Sequence, residues 1–227
     1  MTGLLLLYYI ISFRMRILIL SFLALQTFSS SAQSLDNLVI KGDYTVSDSV
    51  QIVEAFVKAR TAVIEMHRAM DSIWTLKRDS DLGKKEQRQL KWHDDSLFMK
   101  WLGEPSRINV VHRRIMNMHS KFHKKFTLEV TKKNKGRCRG WISAWTIPYG
   151  SVKIRLCDDY FRYRTHLQEK VIVHELGHEV GMLFHRKIHG CWAARRAAAS
   201  HKNHHAQRSP ENYAWLAMAY LGKECDY

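Results

Sequence analysis

From Ser49 to Trp74 the apolar positions Val53, Phe56, Val63, Met66, Met70 and Ile73 recur at helical spacing, which predicts one long helix with a face to bury. The stretch RDSDLGKKEQRQLKWHDD that follows has no such period and reads as a charged connector. Helical spacing resumes from Leu97 to Trp101, and again from Val111 through Ile115, Met118 and Phe122. Beyond His123 the texture changes. FTLEV, GWISAWTI and VKIRLC are short and rich in β-branched and aromatic residues, and with turns at Asn-Lys-Gly and Pro-Tyr-Gly they predict three antiparallel strands. Helix returns at Thr165. A closing helix is marked in SPENYAWLAMAYL by Ser209, by Pro210 at the first helical position and by the acid after it. Helices, a small antiparallel sheet and two further helices make an α+β arrangement without internal repeats.

The length of 227 residues and the 46% hydrophobic content suit one domain with a real core. The start of the chain stands apart. Met15 and Arg16 precede ILILSFLAL, and a polar stretch ends in Ser30, Ser31 and Ala32, so residues 1–32 read as a secretory signal cleaved before Gln33. The apolar MTGLLLLYYIISFR ahead of it reads as a second start to the same signal, as a wrongly assigned start codon or as part of a longer anchor, but Arg14 and Arg16 interrupt the run. Residues 33–227 are then one exported domain, secreted or periplasmic, with no stable membrane span after cleavage. Losing the signal lowers the formal charge from +15 only by those two arginines. The remaining Lys and Arg are scattered without a recognised nucleic-acid module, so no specific nucleic-acid partner is expected. Four cysteines allow two disulfides. Cys138 with Cys157, flanking a strand pair, and Cys191 with Cys225, tying back the tail, are the favoured pairing.

The chemistry concentrates in VIVHELGHEVGMLFHRKIHGCW. His174 and His178 lie one helical turn apart on one face and can hold one zinc ion through both imidazoles. Glu175 between them is placed to take a proton from a zinc-activated water attacking a carbonyl, and to pass it to the leaving amine. The third ligand is less regular. An extended His-Glu-x-x-His-x-x-Gly-x-x-His signature needs histidine at 184. Gly181 is in place, but 184 is Phe and the histidine is His185. A one-residue shift turns a side chain by about 100° on a helix, so His185 serves only if the chain has already turned. His185 is the first candidate; His189, and Glu211 from the closing helix, remain open. His201, His204 and His205 read as a polar loop, and His67, His93, His112, His119, His123 and His166 as surface or packing histidines. Trp145 and Tyr149 stand near the strand where a peptide substrate could be added along a sheet edge.

Taken together, these residues resemble the aspzincins, the deuterolysin and peptidyl-lysine metalloendopeptidase family. The resemblance rests on His174-Glu175-Leu176-Gly177-His178, on FMKWLG from Phe98 to Gly103, on Ala144-Trp145-Thr146-Ile147-Pro148 after a cysteine, on IRLCDDYF from Ile154 to Phe161, and on PENYAWLAMAY from Pro210 to Tyr220. It implies a zincin-like metallopeptidase fold, zinc as cofactor, and protein or peptide substrates. The chain departs from the family in lacking the Gly-Thr-x-Asp-x-x-Tyr-Gly element, since no aspartate occurs between His178 and Pro210. A secreted zinc metalloendopeptidase with Glu175 as general base and His174, His178 and His185 on zinc is the expected function. A catalytically silent zincin-fold binding module is the alternative, favoured by the missing aspartate and opposed by the intact Glu175.

Overall fold

The computed structural model describes residues 35–223 and 225, apart from 77–80, 132–136, 139–141, 149–151, 163–164, 184–187 and 201–202. The chain divides into two compact units, Met1–Asn37 and Leu38–Tyr227. The expected signal at 1–32 lies outside the described residues, and the second unit is the subject here. Among the described residues no helix is long and apolar enough to cross a membrane.

The fold is α+β. Strand β1 (Leu38–Gly42) leads into the long helix α1 (Val46–Trp74), followed by α2 (Lys84–Asp94), α3 (Ser96–Leu102) and α4 (Ile108–Phe122). Strands β2 (Phe126–Val130), β3 (Ala144–Thr146) and β4 (Lys153–Leu156) come next, then α5 (Thr165–Glu179), α6 (Cys191–Ala199) and α7 (Pro210–Tyr220). Thr45 starts α1 with a reciprocal pair of bonds, its hydroxyl accepting from Asp48 N and its own N–H donating to the Asp48 carboxylate. The predicted face of α1 is buried at Phe56, Val63, Met66, Met70 and Ile73. It packs on α4, where Phe56, Phe122 and Phe126 form an aromatic knot with ring centroids 5.0 to 5.4 Å apart.

Two expectations change. The charged connector holds a helix, α2, because Glu86 caps Gly83 N–H at 3.0 Å and Trp92 anchors it in the core, donating from Nε1 to Gly103 O at 2.8 Å. One buried indole suffices where no apolar period exists. The sheet is mixed rather than antiparallel: its order is β1-β2-β4-β3, with β1 and β4 parallel to β2 and only β3 antiparallel to β4. The β3–β4 pair is the expected hairpin. The parallel pairing of β1 with β2 depends on the whole helical crossover between them, a long-range relation that local periodicity does not carry. The turn residues 132–136 and 149–151 lie outside the described set.

This order leaves β3 at the edge of the sheet, beside α5. Helix α5 is itself nearly engulfed, with Ile172, Val173 and Leu176 fully buried and Gln168, Glu169 and Glu179 buried with them. Its closest partner is α7, and the closeness depends on Gly177: a Cβ there would sit 2.7 Å from the Pro210 Cβ. Both expected disulfides form, Cys138 with Cys157 and Cys191 with Cys225, at Cα separations of 5.4 and 6.0 Å.

An alanine normally stabilises a helix interior relative to glycine by about 1 kcal/mol. Gly177→Ala should do the opposite and destabilise by about 1–3 kcal/mol, as overpacking against a rigid proline ring does. Urea denaturation reads the sign, and an unchanged or higher midpoint would show that α5 and α7 can move apart.

Candidate metal centre

His174 and His178 project from the same face of α5 with ring centroids 5.0 Å apart. Each ring is fixed from behind. His174 Nδ1 lies 2.8 Å from Glu211 Oε2, and His178 Nδ1 lies 2.7 Å from the Met182 carbonyl. A carboxylate and a carbonyl only accept, so both imidazoles carry their proton on Nδ1 and their lone pair on Nε2. That is the tautomer in which a histidine backed by an outer oxygen binds a metal.

The Met182 carbonyl reaches His178 through the end of α5. Gly181, at φ +84°, donates to His178 O at 3.0 Å while Met182 N donates to Gly177 O at 3.0 Å. These are the two bonds of a glycine-terminated helix end, in which the left-handed residue curls the chain back over the last turn. The helix has therefore ended before position 185, so helical register no longer decides where the next side chain points.

Glu211 is held by four donors: His174 Nδ1, Lys170 Nζ at 2.7 Å, Trp215 Nε1 at 3.0 Å and Gly190 N at 3.1 Å. Burial opposes its ionisation, but the Lys170 charge and the hydrogen bonds from His174 and Lys170 outweigh burial and hold the carboxyl well below the usual range. Its contacts place Glu211 behind the His174 ring, on the Nδ1 side, as an orienting group. Lys170, one turn before His174, was not singled out from the sequence. Its i−4 position on the motif helix was the available signal.

Glu175 is 8% exposed. Burial raises its proton affinity above that of an ordinary carboxyl; the neighbouring His174 ring, the Thr146 main chain and Lys170 pull the other way, and Glu179 adds to the rise. Thr146, on edge strand β3, also donates from Oγ1 to Glu179 at 2.5 Å. One residue of the edge strand thus touches two carboxylates of the motif helix.

Two cavities meet at this face. One of about 250 Å³ is lined by Lys170, Glu211, Leu167 and Gly190, the other of about 510 Å³ by His178, Trp145, Thr146 and Leu183, and both are lined by His174, Glu175, Ser143 and His189. Of the candidate third ligands, the exposed His189 therefore borders the motif residues, while His185 lies outside the described residues. Among the described residues no group of three His, Cys, Asp or Glu side chains is arranged to hold a metal. His204 and His205 meet edge to face and line neither cavity; His201 and Tyr149 lie outside the described residues. Trp145 lies under the Arg155 guanidinium, 4.2 Å from its ring centroid.

No family model matches the chain, and no curated protein matches its sequence. Among solved structures it resembles a zinc peptidase from Grifola frondosa, with a TM-score of 0.56 at 17% identity over 77% of this chain and 96% of that one. The likeness is one of fold: the chain has a zincin-like peptidase topology of N-terminal helices, a small mixed sheet and further helices.

Glu211→Gln leaves the partly buried Lys170 ammonium without its counter-charge and should destabilise by roughly 2–4 kcal/mol at neutral pH. The Glu211 carboxyl binds its proton less readily folded than unfolded, so its contribution is complete above the ordinary value of 4.5 and is lost as the pH falls below it. The gap between wild type and variant in urea denaturation should accordingly shrink from pH 7 to pH 3. A gap that stays constant would contradict an ionised Glu211.

Proposed function

We propose that the chain is an exported, zinc-dependent metalloendopeptidase of the aspzincin type, secreted or periplasmic, acting on protein or peptide substrates. The observation that carries this reading is the paired tautomer control of His174 and His178 beside a buried glutamate and an open sheet edge. Two imidazoles presenting Nε2 lone pairs on one helix face are a chemically suitable zinc donor set. In this proposal His174 and His178 hold the metal with His185 as third ligand, and His189, which borders both cavities, is the alternative. The two disulfides and the signal-like first 32 residues support export.

Bound zinc would polarise the scissile carbonyl and make water acidic enough to attack at neutral pH. The remaining work falls to the chain. Strand β3 offers its outer main-chain groups to an extended peptide, with Trp145 and Pro148 lining the cavity beside it. Glu175 accepts the proton of the attacking water on its carboxylate and delivers it to the amide nitrogen that leaves. Burial raises its proton affinity and so makes it a stronger base than an exposed glutamate. Thr146 holds the strand against Glu175 and Glu179, so the substrate edge and the base move as one body.

A silent binding module keeps one argument, the absence of any aspartate between His178 and Pro210. Turnover decides. Cleavage of a denatured protein substrate by the zinc-loaded chain should fall by about 10²–10⁴-fold in Glu175→Gln. That variant should be at least as stable as wild type, because folding raises the carboxyl's proton affinity and its ionisation at neutral pH works against the fold. Equal cleavage by both proteins would remove Glu175 from the mechanism, and no cleavage by wild type with one zinc bound would select the silent module.

A further inference from the structure

A second group of histidines, none of which lines the two cavities at the motif helix, lies where α1 meets α4. His119 and His123, one turn apart at the end of α4, have their Nε2 atoms 3.3 Å from each other. His67 of α1 stacks on the His119 ring, centroids 4.1 Å apart and 23° from parallel. Its Nε2 lies 2.8 Å from the sulfur of Met116, which stands one turn before His119 on α4. Asp71 takes up the other nitrogen of His67, with Nδ1 and Oδ2 3.3 Å apart.

We propose that His119 and His123 chelate a late first-row transition ion, Cu2+ ahead of Zn2+ or Ni2+, in a site separate from the candidate metal centre. The geometry matches a metal's needs. Ligand nitrogens about 2.0–2.1 Å from a common ion, at angles between square and tetrahedral, lie roughly 2.8–3.4 Å apart. The His119–His123 separation falls inside that range. A hydrogen bond between the two ring nitrogens holds a proton where a metal ion would bind. The choice of copper follows from the donors: imidazole nitrogens place Cu2+ highest among divalent first-row ions, and the nearby thioether of Met116 suits copper in either oxidation state. His67 is the orienting wall, held by Asp71 and stacked on the ligand ring. Water completes the coordination, since His123 and Met116 are exposed.

The test uses the full chain saturated beforehand with Zn2+. Cu2+ is titrated as the metal alone, and binding is followed by calorimetry and by electron paramagnetic resonance. One equivalent should bind with nitrogen superhyperfine splitting from two imidazoles and should raise the unfolding temperature. In His123→Gln, an exposed position that leaves the core untouched, the affinity should fall at least about tenfold and the thermal shift should vanish. His112→Gln, on the same helix but stacked on Trp74 instead, should bind as wild type does. Copper binding that is absent from wild type, or that is the same in His123→Gln, would overturn the proposal. So would a spectrum in His123→Gln that still reports the two imidazoles, because that copper would occupy the motif histidines.

Discussion

The contact of Gly177 with Pro210 is the constraint from which the site is built. A helix that lacks a side chain at one point lets the proline ring of another close on its backbone. That approach brings Glu211, the residue after Pro210, under His174 and within reach of Lys170 and Trp215. A buried carboxylate is costly unless several donors meet it, and α5 and α7 supply three of the four. Apolar packing and charge pairing thus require the same interhelical distance. Neither would be satisfied if the helices stood farther apart.

Much of this was legible in the sequence because it is local. The periodic face of α1, the start of α7 at Ser209-Pro210, the β3–β4 hairpin and the His174-Glu175-His178 face each lie within one element, and the favoured cysteine pairing is the one formed. The α+β class followed from their order. What was missed depends on distant partners. Strand β1 acquires its neighbour only after four helices, and α2 is held by a single indole whose acceptor, Gly103, belongs to the loop after α3. In the sequence Glu211 stands only as one of the open alternatives for a third ligand behind His185. Only the packing of α7 shows that it faces the back of the His174 ring. His119 and His123 read as ordinary surface histidines because a four-residue spacing without an intervening glutamate looks like chance, and their pairing with His67 crosses from one helix to another.

The edge strand and the motif helix are joined chemically as well as sterically. The single Thr146 hydroxyl proton lies between Lys153 O of the hairpin and Glu179 of the helix, while the Thr146 main chain favours the charged form of Glu175. A displacement of the strand would therefore change the proton affinity of the glutamate. The position of the strand and the proton affinity of Glu175 are coupled through one threonine.

The two motif histidines are secured by unlike means: His174 by a side chain, Glu211, and His178 by a peptide carbonyl, that of Met182. Their vulnerability to sequence drift differs accordingly. Any residue at 182 that fills the buried space of Met182 still offers the same carbonyl, so lineages can vary that position without touching the tautomer of His178. At 211 the chemical identity itself is the support, and a change there is felt by His174 at once. Divergent relatives of this fold should therefore record their history unevenly, with wide variation beside one histidine and near silence beneath the other.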